Sequence, residues 1–198
     1  MALGVIIYWL WTGTALIPEK DHKIVGLGLR LPLYASGPES VGWWAMCITM
    51  LALLTAFMSL VFGYFFFWTV RTDFPLRSSP GPGVFWPVVA AVLLLGAWAL
   101  TLLGRRWNKR DNAIGFYAGS LLAVAMAVAG GAALLAGPWF TRLDPASHVY
   151  PATVWILVIW TVAQAFVGVI MLLYCVARRI AGRMTARYDI DINNVALY

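Results

Sequence analysis

Residues 40–70 read SVGWWAMCITMLALLTAFMSLVFGYFFFWTV, 31 residues without one Asp, Glu, Lys, Arg or His. An α-helix rises about 1.5 Å per residue and the hydrocarbon core of a bilayer is about 30 Å thick, so about 20 apolar residues suffice to cross it. The stretch is therefore expected to span a membrane as one helix, with turns to spare at the interfaces. The rest of the chain has the same character: 62% of its 198 residues are hydrophobic, 11% are charged and the mean hydropathy is +0.82. A soluble domain of this length could not hide so much apolar surface.

Three further apolar runs, Val84 to Gly104, Ala113 to Gly137 and Tyr150 to Ala177, are each long enough to span. The first span is taken from Gly42 to Val70. The connections between them are rich in residues that stop helices, as in RSSPGPG (77–83) and GPWFTRLDPASHVYP (137–151). The fold expected is an all-α integral membrane protein, a transmembrane helix bundle with four complete spans and no β-sheet. Met1 to Trp11, MALGVIIYWLW, is too short to cross and lacks the basic start of a secretory signal, so it is read as the end of a preceding helix. Residues 12–41 are then a linker, 42–178 the four-span bundle and 179–198 a basic tail.

The net charge of +6 and a pI near 9.6 do not indicate nucleic acid, because the basic residues sit in short connections instead of on one soluble face. Their distribution is a topology signal. Lys20, Lys23, Arg30, Arg105, Arg106, Lys109, Arg110, Arg178, Arg179, Arg183 and Arg187 fall on one side if all four segments span, against Arg71, Arg77 and Arg142 on the other. Cytoplasmic loops retain Lys and Arg, so 12–41, 105–112 and 178–198 are expected in the cytoplasm. Trp43, Trp44, Trp68, Trp86, Trp107 and Trp139 lie at or near span ends, where indole rings anchor at the headgroup level and contact lipid.

Gly115, Gly119, Ala123, Ala127 and Gly131 recur at every fourth position of the third span. Small side chains let backbones approach, which is how helices gain contact energy where lipid removes the hydrophobic drive. This stripe is expected to face another helix. Chemistry at membrane depth ordinarily leaves a charged or ligating residue there, and none is visible. His22 and His148 are loop residues without a partner at metal-ligand spacing, and are read as solvated. Cys47 and Cys175 are isolated in apolar runs and read as packing residues. Gln164 is the strongest polar group within a span, with an ordinary interhelical hydrogen bond as its expected role. No catalytic residue, cofactor site or metal site is found in this chain, so its function is expected to be carried with a partner.

The strings LPLYASGP (31–38) and SVGWWAM (40–46) before the first span, and ARRIAGRMTAR (177–187), DIDI (189–192) and NNVALY (193–198) after the last, identify a resemblance. They resemble the subunit III region of bacterial cytochrome c oxidases, in the form where subunits I and III are fused. The resemblance covers nearly the whole chain. It implies that Met1 to Trp11 ends the last subunit I helix, that the four spans are the third to sixth helices of subunit III, and that one more helix follows Tyr198. It implies a non-catalytic region that packs on the heme and copper subunit, binds membrane lipid and belongs, with subunits I and II, to a complex passing electrons from cytochrome c to oxygen in the bacterial inner membrane. Hemes and copper would be held by the partner subunits. The chain departs from the family at two positions: a carboxylate is replaced by Leu53 and a histidine by Gln164. A small multi-span transporter or channel is the rival reading, weakened by the lack of intramembrane charge and of an inverted repeat.

Overall fold

The computed structural model describes residues 4, 8, 23–24, 30–31, 40–75, 81, 83–186 and 188–198. Most of segments 1–11 and 12–41, together with His22, Arg77 and Arg187, lies outside the described residues; Gly4 and Tyr8 are helical.

Four long helices follow one another: α1 (Val41–Val70), α2 (Phe85–Lys109), α3 (Ala113–Phe140) and α4 (Val149–Ile180). All four are long and apolar enough to cross a membrane, and the chain is a multi-pass membrane protein by that measure. A short helix, α5 (Ile190–Leu197), follows. Two two-residue strands, β1 (Lys23–Ile24) and β2 (Arg30–Leu31), pair antiparallel. This pair corrects the expectation of no β-sheet. Strands of two residues leave no mark in a search for long apolar runs, and the other described elements are helical.

The helices end for local reasons. After α2, the Asp111 N–H bonds to the Asn108 carbonyl and the Asn112 N–H to the Trp107 carbonyl, with Asp111 in the left-handed region at φ 54°. This is a Schellman closure, which satisfies carbonyls the helix leaves open. The same pair of bonds closes α3 through Arg142 (φ 50°) and α4 through Gly182 (φ 68°). Asn112 then caps α3 by accepting the Gly115 N–H at 2.9 Å, so α2 and α3 are joined by a tight turn.

That hairpin is the centre of the molecule. The buried residues of α2 are Ala90, Ala97, Thr101, Gly104 and Asn108, and those of α3 include Phe116, Ser120, Ala123, Ala127, Gly130 and Gly137. Both sets step by three, four or seven, the spacing of a seam between two helices that wind gently around each other. Small residues on the seam bring the backbones together: a Cβ on Gly130 would stand 3.4 Å from the Ala90 carbonyl oxygen and 2.9 Å from Leu94 Cγ. Helix α4 packs along α3 beside this seam, where Leu172, Cys175 and Val169 meet Phe116, Ala123 and Ala127.

Helix α1 is different. None of its residues is buried, and it touches the bundle through α4 and α5. A helix that is apolar on every side needs a lipid surround, because its exposed Phe62, Phe65 and Trp68 would form an untenable patch in water.

A candidate intramembrane cavity and the polar ties around it

Helix α5 lies within the basic segment 179–198. It turns back into the bundle, with Ile192 and Val195 buried against Phe116, Leu172 and Cys175, and Ala196 buried beside them in sequence. The spacing Ile192, Val195, Ala196 is a helical face that the basic character of the preceding residues concealed. The Trp98 indole N–H, near the middle of α2, donates to the Ala196 carbonyl at 3.3 Å. Tyr198 therefore reaches mid-depth, where its hydroxyl donates to the Gln164 side-chain oxygen and lies 3.0 Å from the Gln164 carbonyl.

This Gln164–Tyr198 pair stands between two cavities. One, an open groove of about 280 Å³, is lined by Met50, Leu53 and Phe57 of α1, Trp160 and Gln164 of α4, and Tyr198. The other, of about 250 Å³, shares Thr161, Gln164 and Tyr198 and reaches Leu94 and Trp98 of α2. Leu53 and Gln164, the two positions at which the chain departs from the family resemblance, thus face one space although 111 residues separate them. Apolar walls with one internally satisfied polar pair suit apolar matter better than water. Such a space can hold hydrocarbon, and it offers no charge to an ion.

At the end of the bundle where α2 and α4 finish, the basic residues are tied down. Arg179 donates to the Asn108 side-chain oxygen and, at 3.1 Å, to Asp111, and its guanidinium lies 5.1 Å from the centre of the Phe116 ring. Arg178 pairs with Asp191 of α5 at 3.2 Å, and Lys109 with the buried Asp189 at 3.8 Å. Asn108 is fully buried and its amide donates to the Thr185 carbonyl at 3.1 Å. Sequence reasoning counted these cations only as topology markers. The alternation of Arg178, Arg179 with Asp189, Asp191 was the available signal that the tail folds back.

The opposite end holds a second tie. His148 is not the solvated loop residue expected: its side chain is 14% exposed, its Nε2 lies 2.9 Å from Asp73 Oδ2, and its Nδ1 accepts the Tyr150 N–H at 3.1 Å as the N-cap of α4. The imidazole beside it holds the Asp73 carboxyl below the usual carboxylate range, with Arg71 at 3.7 Å adding to the effect. Phe74, buried next to Asp73, sits edge-on to Tyr64 and Tyr150. These contacts join the α1–α2 connection to the start of α4.

Gly119, Ala123, Ala127 and Gly131 are buried and Gly115 is half-buried. A Cβ on Gly119 would stand 2.5 Å from Trp107 Cζ3, and one on Gly115 would stand 3.0 Å from Trp107 Cγ. Trp107 is thus a wedge in the α2–α3 hairpin and not an outward anchor, because the missing side chains of the two glycines leave a slot for its ring. Trp43 and Trp44 pack edge to face at the start of α1, Trp86 stacks on Phe140, and Trp44, Trp68 and Trp139 are exposed at helix ends. Cys175 is buried, Cys47 is half-buried, and both are free thiols. Among the described residues no group of three His, Cys, Asp or Glu is placed to hold a metal ion. No protein-family model, curated protein or solved structure matches the chain.

Proposed function

We propose that the chain is a non-catalytic, subunit III-like region of an aerobic cytochrome c oxidase of the fused subunit I and III type. In this reading it packs on the heme and copper subunit in the bacterial inner membrane, its basic end is cytoplasmic, and it holds lipid in the grooves between its helices. Electron transfer from cytochrome c to oxygen, and proton pumping, take place on subunits I and II.

The observation that carries the reading is the meeting of Leu53 and Gln164. The resemblance placed a carboxylate and a histidine at these positions from the neighbouring sequence strings alone, without reference to any contact between them. Both line the same intramembrane cavity. A pair of polar family positions is expected to sit together, since an ionisable group at membrane depth needs a partner. With Leu53 in place of the carboxylate, the remaining amide is satisfied by Tyr198 instead. The basic end supports the reading too, since Arg105, Arg106, Arg178 and Arg179 gather where α2 and α4 finish.

Reading the DNA upstream of this chain tests the proposal. An adjoining frame encoding a twelve-span, histidine-rich subunit I continuous with Met1 is the expected result; an unrelated frame would remove the fused-subunit reading.

A further inference from the structure

We propose that His148 is an acid-sensitive latch that caps α4 only while its imidazole is neutral, and so links the seating of α1 to the pH on that side of the membrane. The Tyr150 N–H donates to Nδ1 at 3.1 Å, which requires a lone pair on Nδ1 and places the single ring proton on Nε2, facing Asp73 Oδ2 at 2.9 Å. Both nitrogens are therefore committed. A second proton can enter only at Nδ1, where it meets the Tyr150 N–H head-on and removes the cap.

The surrounding charges set the consequence. Asp73 and Arg71 face the ring from the α1–α2 connection, Tyr150 from α4 itself, and Tyr64 of α1 reaches the same cluster through Tyr150. Asp144, on the connection that carries His148, has its carboxylate engaged by the Ala146 N–H at 2.9 Å, and Arg142 opens that connection. The positive end of the α4 dipole opposes an imidazolium at the N-cap, whereas Asp73 attracts one. Acid accordingly transfers His148 from the helix to the connection: the Asp73 link persists and the first turn of α4 is released. Helix α1 contributes no buried residue of its own, and at this end it is held by Tyr64 and Phe74 against Tyr150. Loosening the turn that carries Tyr150 therefore loosens α1.

The experiment uses the full chain in detergent micelles, with nitrogen NMR of the histidines and amide exchange at Tyr150. The account requires the Nε2-protonated tautomer at neutral pH. It also requires the Tyr150 amide to lose about fivefold in protection on acidification, the size of a lost N-cap. His148→Asn, whose side-chain oxygen can cap without titrating, should abolish that step. Asp73→Asn leaves the cap in place, so the loss of protection on acidification should persist in that variant. An Nδ1-protonated tautomer at neutral pH, the same pH course in wild type and His148→Asn, or loss of the acid step in Asp73→Asn would each overturn the proposal.

Discussion

Gly119 and Trp107 show how much a single missing side chain can carry. In lipid there is no water to expel, so the hairpin of α2 and α3 depends on dispersion between closely fitted atoms. Gly119→Leu should force the Trp107 ring out of its slot and destabilise the protein by about 1–3 kcal/mol, while Leu121→Ile, on an exposed face of the same helix, should leave it nearly unchanged. Thermal unfolding of both variants in detergent compares them, and equal midpoints would refute the wedge. Gly182 offers a purely conformational counterpart. It sits at φ 68° with no atom within 4 Å of a Cβ position, so Gly182→Ala should cost about 1–2 kcal/mol from backbone strain alone. The same melts would show it, and an unchanged midpoint would mean the α4 terminus relaxes to another closure.

Among the elements, the long helices were legible because their signal is crude: length and the absence of charge decide them. The stripe at every fourth residue of α3 can be picked out of the sequence too, but its members are only part of the buried surface of that helix. The seam with α2 also needs Ser120 and Gly130, which fall between the stripe's positions, and a sequence shows which residues are small without showing which neighbour they face. The cavity was not legible, since Leu53 and Tyr198 carry no mark of depth or proximity. Nor was α5, eight residues long and preceded by arginines, whose inward course depends on the Arg178–Asp191 and Lys109–Asp189 pairs and on Ile192. Ile192→Ala removes a fully buried side chain and should weaken the docked state by about 2–5 kcal/mol. Limited trypsin digestion reads this directly: the variant should be cut in the residues before α5 faster than wild type, and an unchanged rate would mean that the ion pairs alone hold the helix.

At the scale of the whole molecule, the bundle is uneven. The hairpin of α2 and α3 with α4 forms a packed body, while α1 is attached at its two ends and lines a cavity along its middle. Such an arrangement suits a region that completes itself against lipid and a larger partner, which is the central claim. The most direct measurement is isolation of the chain, carrying a removable tag, from the membranes of its own organism in a mild detergent, followed by an absorbance spectrum and mass spectrometry of what comes with it. The account predicts a reducible heme spectrum, copper, and the peptides of subunits I and II in fixed proportion to this chain. Recovery of the chain at full yield from intact, aerobically grown membranes without heme or any subunit I peptide would contradict it.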